Sequence, residues 1–413
     1  MAPNELHRLY KRPPISDQQK RRELSLRRQE QSRRDAQLQA RRLASTLFSL
    51  SSSQTLEETS EPDIDLVSEP QPDFQPENES VSSPSDLDLD VRQASKLRGS
   101  EARKWFARQL MLPEWMIDVP DRLSHDWLAT RSYITTDSRQ RNCQCHHFPR
   151  LCPACLTASG SCQSYSILDC IFHEMDQTYY VIDMICWRGY SLYDCTAEFR
   201  FFWLNSKLAE TGACDPPSQY HRYRFSLVPI YTCDQSGLHS AYAGAVPYVK
   251  DGLLFYNKHA HYQPGNTPLA LVWKDENCSQ YVIDTDSKGQ VPSQQQVVLE
   301  LLHDGKLITS DDPPVVFGFL ELEFTQKSGL HPGNLLRFSI GNGGLHTVDG
   351  KLEKADLHYF GKSNRARAFA DSYSKIMFQY SVRHSPLRID DLVASISSSD
   401  DEGNGPSDVE MAV

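Results

Sequence analysis

The chain has 413 residues, a net charge of -11 and 39% hydrophobic residues. That length holds one large domain or two ordinary ones, with polar segments besides. No apolar run is long enough to span a bilayer, and the opening MAPNELHRLYKRPP lacks the apolar centre of a secretory signal.

Charge divides the chain into zones. Residues 8–42 are strongly basic. Pro13 and Pro14 precede Ser16, and Gln19 stands three residues later, a capping-box pattern. No Gly or Pro follows before Leu43, so one long helix is expected. Arg8, Lys11, Arg12 and Lys20 open the basic series. The pairs Arg21–Arg22, Arg27–Arg28, Arg33–Arg34 and Arg41–Arg42 continue it. Leu24, Leu26, Leu38 and Leu43 are too few to dock such a helix along its length, so a partner should order it; on charge alone it reads as a solvated or nucleic-acid-binding arm. Residues 51–90 contain no Lys or Arg and are rich in Ser, Pro, Asp and Glu. Such a segment cannot bury enough apolar surface to offset its ordering entropy, and the acidic end of the chain reads the same way.

From about residue 100 the composition turns aromatic and aliphatic. A short helix is expected from 101, broken at Pro113. Residues 165–174 and 178–187 read as strands joined at Asp176–Gln177. Phe199, Phe202 and Trp203 have helical spacing within 194–208. Further strands are expected at 222–233, 251–257, 268–273, 280–284, 314–325 and 334–340, and a helix at about 364–381. Strands in succession with few helices between them indicate an α+β fold with antiparallel sheets.

Residues 142–163, NCQCHHFPRLCPACLTASGSCQ, hold five of the eleven cysteines. Cys143, Cys145, His147, Cys152 and Cys155 offer enough ligands for a tetrahedral zinc site, although Cys-x-Cys-His-His is tighter than zinc ribbons favour. Cys170, Cys186 and Cys195 lie in apolar runs and read as buried, reduced thiols.

The runs LMLPEWMIDVP, YSILDCIFHEMDQTYYVIDMICWRGYSLYDCTAEFRFFWLNSKL and DGLLFYNKHAHYQPGNTPLALVW resemble the snurportin family. With the basic N-terminus, the resemblance covers roughly 100–128 and 165–285. It implies an adaptor that binds the 2,2,7-trimethylguanosine cap of spliceosomal small nuclear RNAs, on a domain similar to the mRNA guanylyltransferase fold. It also implies that importin-β binds the basic helix, an export receptor recycles the protein, and the protein shuttles between nucleus and cytoplasm. The implied organisation is a basic helix over 1–48, an acidic linker over 49–98, a cap-binding domain with an extension over 99–390, and an acidic tail over 391–413.

A trimethylguanosine base is cationic and attracts electron-rich aromatic faces. Its dimethylated N2 carries no hydrogen, so a selective site presents apolar surface there. By resemblance Trp273 is the stacking residue, Trp115 the second tryptophan, and Leu112 and Pro113 lie at matching pocket positions; on spacing alone each tryptophan reads as core, as Trp187 and Trp203 do. Pro113 stands where the family has a small polar residue, and proline brings neither a polar side chain nor an N–H. The resemblance lapses between Leu128 and Tyr165, where the family carries cations beside the cap phosphates. Arg131, Arg139 and Arg141 are the candidates to replace them. The Lys-x-Asp-Gly nucleophile of the guanylyltransferases is absent, so binding without catalysis, and without a metal or other cofactor, is expected. The alternatives are a zinc-dependent binding module, an active nucleotidyl transferase and a monomethylguanosine-cap binder.

Overall fold

The computed structural model describes residues 18–54, 109–133, 145–148 and 166–401, apart from 218–222, 280, 287, 312, 349–350, 364–366 and 368. The chain divides into two compact units, one of residues 1–26 with 103–413, the other of residues 27–102. The helix expected at 101, the acidic linker at 55–98 and most of the cysteine-rich stretch lie outside the described residues.

Helix α1, Gln18–Gln54, outruns the expected end at Leu43. Nothing between Leu43 and Gln54 breaks a helix, since that stretch contains no Gly or Pro. Its second-unit part carries Leu24-like apolar exposure further along: Leu38, Leu43, Leu47 and Phe48 are all exposed.

In the first unit, one five-stranded sheet has the order β1-β10-β9-β2-β8. These strands are β1 Met111–Trp115, β10 Gly265–Trp273, β9 Lys250–Asn257, β2 Trp127–Tyr133 and β8 Ile230–Thr232. β1 runs parallel to β10 at the sheet edge, and the other pairs are antiparallel. Proline is tolerated on an edge strand because it cannot donate to the ladder. Here the register shifts immediately after Pro113, from Pro113↔Thr267 to Glu114↔Leu271. Met116, Trp127, Phe255, Leu271 and Trp273 form the core beneath this sheet. Gly252 (φ 103°) lets β9 pass close to β10, since a Cβ there would lie 2.3 Å from the Trp273 carbonyl.

A second sheet runs β3-β4-β5-β6, from β3 Cys145–Phe148, β4 Ser166–His173, β5 Thr178–Trp187 and β6 Tyr190–Ser191. β7, Arg224–Leu227, adds in parallel to β5. The turn residue Gln177 takes φ 53°, as the hairpin demands. Two short helices, α2 Leu123–Asp126 and α4 Gln235–Ala243, flank α3, Ala197–Thr211. The Thr196 hydroxyl caps α3 by accepting from the Phe199 N–H, and Gly212 ends it in the left-handed region. α3 buries Phe201, Leu204 and Leu208. Trp187 is core, as expected, and Trp203 is half-buried beneath the Lys207 ammonium, 4.7 Å from its ring centroid.

A third sheet has the order β13-β12-β11-β14-β15. Its strands are β11 Gln296–Leu301, β12 Lys306–Ile308, β13 Val316–Phe319, β14 Leu335–Val348 and β15 Lys351–Lys362. Leu299, Leu307, Phe317, Leu336 and Phe338 fill its interior. Helix α5, Leu322–Lys327, occupies the second half of the expected 314–325 strand, which ends at Phe319. Residues 281–284 form no strand; there Asp284 pairs with Lys375 at 2.6 Å and Val282 packs on the core. Two helices complete the chain, α6 Tyr373–His384 and α7 Ile389–Asp401. Leu392 and Ile396 of α7 are buried, so ordered structure continues past the expected boundary at 390. The fold is thus α+β with largely antiparallel sheets.

Candidate functional site

β1 and the end of β10 bring the expected cap residues together. Leu112, Pro113 and Trp115 are half-buried on β1. The Trp115 ring packs on Phe378 of α6, with centroids 4.9 Å apart. The Lys274 ammonium stands 5.2 Å from the Trp115 centroid, so this ring already serves a cation. Lys274 is itself held by Asp251 at 2.6 Å, and the other Asp251 oxygen accepts from Ser279.

Trp273 is fully buried. Its indole N–H donates to the Leu387 carbonyl at 3.0 Å, and Leu392, Ile396 and Phe378 share its cluster. Trp115 and Trp273 therefore belong to one hydrophobic cluster, but only Trp115 reaches solvent. The chain from Leu387 to Ile396 covers Trp273.

Glu114, between Pro113 and Trp115, has the most developed electrostatic setting. It is 3% exposed. Arg21 grips it with two N–H groups at 2.5 and 2.9 Å, and the Gln18 amide donates to it at 2.8 Å. The same Gln18 nitrogen donates to the Trp115 carbonyl at 3.1 Å. Arg22, 3% exposed, donates to Gln18 and Gln19 and lies 5.7 Å from the Trp127 centroid. Burial raises the Glu114 carboxyl above its ordinary range, opposed by Arg21 and the Gln18 hydrogen bond. Burial likewise pushes the Arg22 guanidinium down to about 10. The start of the basic helix is thus seated on the strand that carries Leu112, Pro113 and Trp115. Sequence reasoning missed this role of Glu114.

Among the expected phosphate cations, Arg131 is 4% exposed. Its guanidinium donates to the Ala241 carbonyl at 2.9 Å and to Ser240, and lies over Tyr231. It is a structural residue tying β2 to α4. Arg139 and Arg141 lie outside the described residues, as do Arg8, Lys11 and Arg12. Lys20, Arg27, Arg28, Arg33, Arg34, Arg41 and Arg42 lie on α1. Only the backbone of Cys145–Phe148 is described in the cysteine-rich stretch, where it forms β3, so the zinc reading of Cys143, Cys145, His147, Cys152 and Cys155 lies outside the described side chains. No metal-binding cluster occurs among the described residues, and no described helix is long and apolar enough to cross a membrane.

A buried polar group stabilises the region between the first two sheets. Arg200 of α3 meets both oxygens of Asp183, at 2.9 and 2.8 Å, with both side chains fully buried. Arg200 also donates to the Cys195 and Ala260 carbonyls. Nearby Asp169, hydrogen-bonded to the Tyr262 hydroxyl, is raised to about 8 by burial and by the Asp183 charge.

Residues 109–274 match the family model described as the Snurportin1 m3G cap-binding domain. The match spans β1 through β10 and stops before β11. Among solved structures, a Lig E DNA ligase is 12% identical, with a TM-score of 0.27 and coverage of 62% of this chain and 98% of that one. A mycobacterial DNA ligase D complexed with ATP is 11% identical, with a TM-score of 0.27 and coverage of 67% and 100%. A Chlorella virus DNA ligase-adenylate is 10% identical, with a TM-score of 0.25 and coverage of 62% and 99%. At these scores the ligases bear on neither mechanism nor substrate. The match defines the class that this stretch resembles: residues 109–274 are similar to a cap-binding domain, and more particularly to that of snurportin.

Proposed function

We propose that the chain binds the trimethylguanosine cap of small nuclear RNA and carries the RNA–protein particle into the nucleus on importin-β. The match over residues 109–274 carries the cap reading. Trp115 supports it, as a half-exposed ring whose face already attracts a cation beside the apolar Leu112 and Pro113. Such a surface favours a cationic base with a methylated edge. In this reading Trp273 stacks on the base once Leu387–Ile396 has moved aside. Binding without nucleotidyl transfer is supported by the pairing of two lysines on the strands of this site and just after them. Lys274 is committed to Asp251, and Lys250 donates to the Tyr242 carbonyl at 2.8 Å.

Importin-β binding is assigned to α1, where Arg27, Arg28, Arg33, Arg34, Arg41 and Arg42 pair with carboxylates of the carrier. Arg21 and Arg22 belong to the same series, but Glu114 holds Arg21 while Gln18 and Gln19 hold Arg22, so the carrier must compete with these groups for them. Export-receptor recycling and shuttling follow from this reading. Competition between mono- and trimethylated cap dinucleotides is the decisive test. Preference for the trimethylated form is expected; equal or reversed preference overturns the cap assignment. A radiolabelled guanylylation assay is expected to leave the protein unlabelled.

A further inference from the structure

Beyond the matched domain, residues 296–362 close into a barrel. The chain order is β11, β12, β13, α5, β14, β15, and the spatial order is β13-β12-β11-β14-β15. The two outer strands meet: a Cβ added at Gly318 of β13 would lie 3.1 Å from Leu357 of β15. A three-strand meander, a helix, and two strands that close the seam make the partly open Greek-key order of OB barrels. Fold alone assigns no ligand; the surface has to do so.

Two aromatic rings stand out on the seam strands. Phe319 of β13 is 68% exposed and Phe360 of β15 is 60% exposed. The Arg337 guanidinium lies 5.1 Å from the Phe360 centroid. Arg337 and Gly361 are register partners, as are Leu336 and Lys362. Segments 335–340 and 357–362 contain Arg337, His358 and Lys362 and no Asp or Glu. Phe319 faces Lys306 across the ladder, and Lys306 holds Asp304 at 2.5 Å. Exposed rings beside cations, on one barrel, match the demands of single-stranded nucleic acid, whose bases stack and whose phosphates need positive charge. Helix α6 joins the barrel to the cap strand. Its Phe378 packs on Trp115 while its Ile376 and Met377 fill the barrel interior.

We propose that the barrel is a second RNA site, binding single-stranded RNA with bases on Phe319 and Phe360 and phosphates at Arg337 and Lys362. The proposal does not rest on the cap reading. The barrel takes an uncapped strand equally well.

The test is fluorescence anisotropy of an uncapped, 5′-hydroxyl single-stranded RNA of about twelve nucleotides, within the usual reach of one such barrel, on the full chain. Phe319→Ala and Phe360→Ala are each expected to weaken it by roughly 5- to 150-fold, the equivalent of one lost stacking platform. Arg337→Ala should lower the salt slope by about 0.7. Cap-dinucleotide affinity should stay unchanged in all three variants, and a duplex of the same sequence should compete poorly. Because both rings are exposed, the variants keep the barrel core. No binding of the uncapped strand, or equal binding by the double phenylalanine variant, overturns the proposal. Equal competition by the duplex does so too. So does loss of self-association in that variant with RNA affinity unchanged, which assigns the rings to a protein interface. Failed cap binding with intact, phenylalanine-dependent binding of the uncapped strand overturns the cap reading and supports this one.

Discussion

Removing Arg21 or Glu114 should not be equivalent, although they form one pair. Arg21→Ala leaves Glu114 buried with Gln18 as its remaining side-chain donor. Breaking a fully buried pair from one side costs about 3–5 kcal/mol. The Arg21 side chain is 31% exposed, so solvent screens part of this, and about 2 kcal/mol is the better figure. Glu114→Gln keeps the shape, retains an acceptor for Arg21 and removes the buried charge, so it should cost nearer 1 kcal/mol. The readout is local, because the contact holds only the helix start. Trypsin cleavage after Arg22, which is 3% exposed, reports opening. Opening should rise roughly 30-fold in Arg21→Ala and roughly fivefold in Glu114→Gln. On the proposal that importin-β competes with Glu114 for Arg21, Glu114→Gln should also bind the carrier up to about fivefold more tightly. Wild-type cleavage at Arg22 as fast as in Arg21→Ala would refute the docking; unchanged carrier affinity with faster cleavage would refute the competition.

Three further outcomes are expected. Asp169 has a folded pKa of about 8, above its ordinary 3.8, so the folded state holds a proton that the unfolded state releases. Its stabilisation is fully present below about 4, declines by at most about 1.4 kcal/mol per pH unit, and is gone above about 8. Asp169→Asn should flatten the fall of melting temperature with pH across that window, and an unaltered slope would exclude Asp169 as its source. Arg200→Met should destabilise by about 3–5 kcal/mol because it strands the fully buried Asp183, whereas Arg200→Met with Asp183→Leu should cost less than the two singles combined in a urea-unfolding cycle. Leu392→Ala with Ile396→Ala removes packing worth about 2–5 kcal/mol per residue and should loosen the cover over Trp273. Cap-dinucleotide affinity should then increase and tryptophan emission shift to the red; a red shift without a gain in affinity would show that Trp273 does not meet the cap.

The reach of each interaction along the chain explains which features the sequence made legible. The α3 cap at Thr196 and the turn at Asp176–Gln177 depend on neighbours within a few residues, and local pattern sufficed for both elements. The 280–284 segment has strand-like residues, but 281–284 form no strand, and Asp284 finds its partner in Lys375, 91 residues away. Glu114 follows the same rule. Between a proline and a tryptophan it reads as an ordinary surface acid, and its partner Arg21 stands 93 residues upstream. Trp273 is covered by residues far downstream, and its indole N–H finds its acceptor in a carbonyl 114 residues away. Composition showed that the basic helix could not dock along its whole length, since its leucines are few. It gave no sign that polar groups, Gln18 and two arginines, dock its first turn. A hydrophobic pattern announces a core because many residues share the work, whereas a polar dock rests on two or three side chains whose partners only the fold assembles. The barrel shows the converse limit. β11 and β12 are short and β15 alternates charged with apolar residues, so none stood out alone, yet their order in space, with two exposed rings, is what points to RNA.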